Sequence, residues 1–176
     1  MYKKGTAIDK NNTKLRLLIA RSYGSMGNYT EASTILKEVI ALEKRHDRYR
    51  QAAQSARQMF TNYMFAGTTK AVEANKYADA IKYLDEVLSV DAKNPQAHLM
   101  KIQVANNMKK YSDVIKFGPT SATNLTDAAQ KSSVYFFMGS AYGEMKNFEK
   151  AIECFKKVTA GDYATLAKEQ IAELSK

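Results

Sequence analysis

The sequence predicts an all-α fold, an α-α superhelix of antiparallel helix pairs, and three observations carry that prediction. Only two prolines, Pro95 and Pro119, and eight glycines interrupt 176 residues, so long helices can run unbroken. The alternating Val/Ile/Thr runs expected of strands are missing. A short turn followed by an aromatic and, three residues on, a small residue recurs along the chain.

The recurring turns are GNYTEA (Gly27–Ala32), NKYADA (Asn75–Ala80), KKYSDV (Lys109–Val114) and KNFEKA (Lys146–Ala151). Their aromatics Tyr29, Tyr77, Tyr111 and Phe148 lie 48, 34 and 37 residues apart. Around the last one, Tyr135, Met138, Gly139, Tyr142, Ala151, Phe155 and Val158 match a large-x2-Leu-Gly-x2-Tyr helix followed by an Ala-x3-Phe helix. The first copy supplies Ile19, Ala20, Tyr23, Ala32, Leu36 and Val39. The second keeps Ala80, Leu84 and Val87 but has Thr68 and Ala71 in the small and tyrosine places. The third is weakest, with Ile102, Ala105 and Val114, and Gly118 where a large residue is usual.

On these residues the chain resembles the tetratricopeptide repeat (TPR) family over nearly its whole length. In such a unit the small residues let two helix backbones approach, and the large ones fill the space around the contact. No single pair buries its apolar stripe, so neighbours stack into a continuous core. The resemblance implies one TPR-like solenoid domain over residues 1–176, with about four repeats and a C-terminal capping helix. Its expected parts are the end of a truncated repeat (1–12), repeat 1 (13–46), repeat 2 with extended helices (47–94), repeat 3 (95–126), repeat 4 (127–160) and the capping helix (161–176).

Several local features refine that division. Tyr2, Gly5, Ile8, Asp9 and Asn12 occupy the places that Leu84, Val87, Val90, Asp91 and Asn94 occupy before the third repeat. The opening stretch thus reads as the last turns of a second helix, and the chain as the carboxy-terminal part of a longer repeat protein; a native stub is the alternative. The 48-residue interval carries 14 residues beyond the usual period of about 34. Two extra turns on each of two adjacent helices would absorb them, the second starting at the capping box SARQ (Ser55–Gln58) or at Asp47. The arms so formed would carry EKRHDRYR, Glu43–Arg50. Gly118–Pro119 predicts an early end to the second helix of repeat 3. Gly161 predicts a helix end and Asp162 the cap of a last helix, whose apolar face is Tyr163, Leu166, Ala167, Ile171 and Leu174.

Composition bounds the function. Hydrophobic residues at 45% and charged residues at 26% describe a chain that buries a core rather than a disordered one. No apolar run approaches the roughly 18 residues of a membrane span, and the amino end lacks a signal-peptide layout. A single cysteine, Cys154, excludes an internal disulfide. The charge of +9 is uneven, with 12 Lys/Arg against 5 Asp/Glu in residues 1–60 and 15 against 13 thereafter. The basic residues are scattered along helices, which makes solvated faces the favoured reading and a nucleic-acid partner the least favoured.

Catalytic chemistry finds little footing. His46 and His98 stand in no metal-ligand spacing, Cys154 has no histidine near it in the chain, and the glycines of FMGSAYG follow no strand. Neither an enzyme nor a cofactor or metal site is expected. The remaining function is binding, and the resemblance implies a concave groove lined by first helices that takes a protein or peptide segment. Its places fall on Lys14, Leu17 and Arg21 in repeat 1, and on Asn62, Phe65 and Thr69 in repeat 2. Repeat 3 supplies Gln96, Leu99, Gln103 and Asn106, and repeat 4 supplies Ser133, Phe136 and Ser140. Leu17, Phe65, Leu99 and Phe136 would form an apolar ladder flanked by neutral hydrogen-bonding groups, suited to a peptide with apolar anchors. The family's carboxylate clamp needs Lys and Asn on successive turns; Leu17 and Arg21 stand there, so that activity is not implied. The alternative is an assembly segment that packs on upstream repeats or pairs as a homodimer through its amino-terminal edge. Leu15, Leu18 and Ile19 are the apolar residues concerned.

Overall fold

The computed structural model describes residues 12–176, so the expected truncated repeat at the amino end lies outside the described residues. Among the described residues the fold is all-helical. The α-helices are α1 (Thr13–Ser25), α2 (Tyr29–Leu42), α3 (Arg50–Glu73), α4 (Tyr77–Val90), α5 (Pro95–Asn107), α6 (Tyr111–Asn124), α7 (Ala128–Glu144), α8 (Phe148–Phe155) and α9 (Ala164–Leu174). A 3-10 turn, Asp47–Tyr49, leads into α3. The chain divides into two compact units, one ending at Glu73 and the other starting at Ala74.

In the first unit α1 packs on α2, α2 on α3, and α1 also on α3. Ala20, Ala32, Leu36 and Val39 are buried as the repeat pattern requires. The Tyr63 ring of α3 occupies the volume a side chain at Gly24 would need, and it stacks on Tyr29 at 6.1 Å between centroids. The second unit repeats the arrangement: α4 through α9 pack each on the next, and α5 also meets α7. Its larger core gathers Ile102, Ala105, Val114, Leu125, Val134 and Met138. A smaller one holds Phe136, Ala151, Phe155, Val158 and Ala167 beneath α9.

The turn before each anchor aromatic has a common geometry. Gly27, Asn75, Lys109 and Lys146, each two residues ahead of an anchor, adopt φ of 76°, 55°, 54° and 61°. In three of these turns the amide of the next residue reaches back to the carbonyl of Tyr23, Ala105 or Tyr142. With a second bond from the amides of Gly27, Lys109 and Lys146 to the carbonyls of Gly24, Asn106 and Gly143, this double closure satisfies carbonyls that a helix end leaves open, and it sets where the second helix starts. Side-chain caps start other helices: Asn12, Asn94 and Asp127 accept amide bonds from Leu15, Ala97 and Gln130.

Four expectations change. The surplus in the 48-residue interval is not shared between two helices: α2 keeps 14 residues while α3 takes 24, starting after the Asp47 turn rather than at Ser55. Second, α6 runs through Gly118–Pro119 to Asn124. A residue before proline is normally pushed out of the α region partly by its Cβ, and glycine has none. The space over Gly118 is filled by Met138 from α7, which explains a glycine at a usually large place. Third, α8 ends at Phe155, and the loop after it is tied down where the Ser132 hydroxyl oxygen accepts amide bonds from Thr159 and Ala160. Gly161 sits in that loop at φ 77°, against Ala129. Fourth, the α9 cap position falls on Tyr163, with no side-chain cap bond, so Asp162 does not serve there. On α9, Ala167 is buried and Tyr163, Ile171 and Leu174 pack on the core, whereas Leu166 is exposed.

The two close contacts differ in how readily they yield. A Cβ on Gly139 would lie 2.7 Å from the Phe155 ring, a buried and stiff neighbour, whereas one on Gly118 would meet the flexible end of Met138. Gly139→Ala is therefore expected to lower stability by about 1–3 kcal/mol, and Gly118→Ala to lower it by less, because the helix preference for alanine offsets part of the clash with Pro119 that the new Cβ restores. Urea unfolding midpoints check the order; a larger loss at Gly118 would overturn it.

Candidate functional site

The candidate surface consists of the first-helix faces, and each unit presents two of them. On α1, Lys14, Leu17 and Arg21 follow at intervals of three and four and so share one face. Lys14 and Arg21 are exposed and Leu17 is half-buried. On α3, Asn62 and Thr69 are exposed either side of half-buried Phe65, and the Thr69 hydroxyl donates to the Phe65 carbonyl at 3.2 Å. Because α1 packs directly on α3, the first unit carries neighbouring rows.

In the second unit α5 carries exposed Gln96 and Gln103, with Leu99 and Asn106 half-buried. Leu99 also packs against the larger core, so only part of it is left to a ligand. On α7, Ser133 and Ser140 are half-buried, and their hydroxyls donate to the carbonyls of Ala129 and Phe136, one turn back. Their oxygen lone pairs are still free to accept. Gly143, near the end of α7, has nothing within 4 Å of where its Cβ would stand. The sequence reading missed it, and no signal in the chain distinguishes it from the packed Gly139.

Phe136 is not part of that surface. It is only 9% exposed, stacks on Tyr163 at the cap of α9 at 4.4 Å and 15°, and meets Phe155 at 5.6 Å. This corrects its assignment to the binding row. Helical periodicity placed it on the correct face of α7, but α9 returns over that face and the ring becomes core. The apolar ladder thus reduces to Leu17 and Phe65 in one unit and Leu99 in the other.

The histidines, the cysteine and Tyr77 are engaged in structure. His98 is 4% exposed, with Nε2 facing the Ala92 carbonyl at 3.0 Å and Nδ1 facing the Ser121 hydroxyl at 3.3 Å, so it ties α5 to α6. His46 is exposed, and its Nδ1 accepts the Arg48 amide at the start of the 3-10 turn. Cys154 is buried; burial pushes its thiol up, nearby Lys157 pulls it down and Glu153 adds to the rise, an environment opposed to thiolate formation. Tyr77 donates to the Asp113 carboxylate at 2.6 Å, and burial followed by that carboxylate pushes its phenol up. No group of three or more metal-ligating side chains gathers among the described residues, and no described helix is long and apolar enough to cross a membrane.

A family model described as the SusR N-terminal TPR domain matches residues 6–175. The chain belongs to that tetratricopeptide repeat family. No curated protein matches it in sequence. Among solved structures, the P58(IPK) TPR domain aligns with 99% of the chain at 13% identity and a TM-score of 0.58. The chain spans 48% of that structure's length, and at this identity the likeness concerns the fold. MamA aligns with 98% of the chain and 87% of its own length at 19% identity and a TM-score of 0.47. YrrB, described as a TPR protein with an unusual peptide-binding site, aligns over 89% and 90% of the two chains at 15% identity and a TM-score of 0.47. The TPR pattern read from the chain is thus a family membership, and the helical-hairpin solenoid its fold.

The burial of Phe136 has a measurable result. Phe136→Ala is expected to cost about 3–5 kcal/mol, as a core aromatic does. Half-buried Phe65→Ala should cost roughly half of that or less. Equal shifts in urea midpoint would place the Phe136 ring outside the core.

Proposed function

We propose that this protein is a non-catalytic interaction scaffold that binds a peptide or protein segment along its first-helix faces. The observation that carries the reading is the TPR family membership joined to the character of the α5 and α7 faces. There the large aromatic is withdrawn into the core, while Gln103, Asn106 and Ser140 stay reachable beside partly covered Leu99. Neutral donors and acceptors next to a modest apolar surface suit an extended main chain, whose own amides and carbonyls need partners. Gly143 adds a place where a partner backbone can come close. In the first unit, Leu17 and Phe65 are the apolar anchors, with Lys14, Arg21, Asn62 and Thr69 at their edges.

Peptides selected from a random display library on the intact chain provide the test. Gln103→Arg combined with Ser140→Arg should abolish their binding without changing helicity, since Gln103 is exposed and Ser140 only half-buried. Selected peptides indifferent to those changes and to Phe65→Ala would place binding elsewhere and overturn the reading.

A second reading, self-association through the amino-terminal edge, has one observation in its favour. Leu18 is 48% exposed on α1, an unusual place for a leucine in a stacked repeat. Leu18→Lys is then expected to turn a dimer into a monomer in sedimentation velocity. A monomeric parent at high concentration rejects this reading.

A further inference from the structure

The residues between α2 and α3 form a basic tip. Helix α3 is 24 residues long where α1 has 13, and the ion pair between Arg57 and Glu43 sets the level at which α2 stops. The seven residues Arg50–Ala56 continue past that level by about 10 Å at the helical rise. The connection 43–49 returns alongside them and is held firmly. Tyr49 is buried, the Arg48 guanidinium lies 4.6 Å from the centre of its ring, and Arg50 pairs with Asp47 at 2.7 Å.

These contacts use the acidic residues of the stretch. Glu43 is taken by Arg57 and Asp47 by Arg50, which leaves Lys44, Arg45 and Arg48 as uncompensated cations, all exposed. Basic side chains elsewhere are often used internally: Arg16 pairs with Glu38, Lys101 with Asp85, and Lys70 and Lys110 lie over Tyr29 and Tyr77. Among the described residues, Lys44 and Arg45 carry no ion pair or ring contact of this kind. The positive end of a long helix dipole points into the same region and adds to the field.

We propose that this tip is a docking surface for an acidic polypeptide segment, with Lys44, Arg45 and Arg48 as its charged contacts. A nucleic acid is disfavoured by the same geometry. Single-stranded binding relies on aromatic rings offered for base stacking, and the aromatic here, Tyr49, is buried with Arg48 across its ring. Three cations also neutralise too few phosphates for the release of counterions to drive binding strongly. A carboxylate-rich peptide needs neither stacking nor a long track, and the Arg48 guanidinium, one nitrogen of which donates to the Tyr49 hydroxyl, has further N–H donors for a carboxylate. This surface is separate from the first-helix faces, so its test does not depend on theirs.

Fluorescence anisotropy with a labelled oligoglutamate peptide and a labelled oligouridylate, each titrated with the intact chain at low ionic strength, decides the matter. The peptide is expected to bind, and Lys44→Glu with Arg45→Glu to weaken it by about tenfold or more. Lys156→Glu with Lys168→Glu, an equal charge reversal on exposed residues of the second unit, should alter it by less than about twofold. Circular dichroism of both variants should match the parent, because none of the four side chains is buried. The proposal is overturned by absence of peptide binding, by equal loss in both variants, or by no loss in either. It also fails if oligouridylate binds more tightly than the peptide and is lost in the Lys44/Arg45 variant.

Discussion

Paired helices in this chain meet where one of them has little or no side chain. Gly139 faces the Phe155 ring, Gly118 faces Met138, and Gly24 faces Tyr63, while Ala20, Ala32, Ala80, Ala105 and Ala151 are buried at corresponding places. Each small residue lets a neighbouring helix approach until a large residue can lie over the gap. Interiors are packed to the density of organic crystals, so every such gap must be filled by a particular partner. The positions of large and small residues then determine which helices touch and how far apart they lie.

The turns keep that spacing in register. A left-handed residue two places before each anchor aromatic turns the chain sharply, so the second helix begins at once and runs back along the first. Three of these four residues are Asn or Lys rather than glycine, and such residues adopt this conformation at some cost in strain. The strain is tolerated because the turn places Tyr77, Tyr111 or Phe148 at the start of the next helix. Function occupies what this scaffold leaves over, namely first-helix residues that no neighbour covers and a connection whose cations exceed its acids.

Some of the site was legible in the sequence because helical periodicity alone assigns a face. Lys14, Leu17 and Arg21, or Gln96, Leu99 and Gln103, share a face in any helix of that register. Whether a face stays open depends on what folds back over it, and spacing carries no record of that. Phe136 shows the difference: its position on α7 was readable, its cover by Tyr163 was not. Likewise, nothing in the sequence separates Gly143, which faces open space, from Gly139, which lies under a phenyl ring.

The sequence by itself determined the helical class, the four anchor turns and the identity of most core residues, because these depend on local periodicity and on backbone conformations that few residues accept. Tertiary structure decided the rest. Helix α6 continues through Pro119 because Gly118 removes the Cβ clash and Met138 fills the vacancy, a compensation supplied from another helix. Of the paired helices only α3 lengthens, and the connection 43–49 holds the rest of the surplus, since the pairing of α3 with α2 is closed at Glu43 and Arg57 and the excess has to lie beyond that point. Helix α8 stops at Phe155 where Ser132 of α7 captures the following amides. In each case the deciding contact joins residues 14 or more apart in the chain, beyond the reach of local propensity.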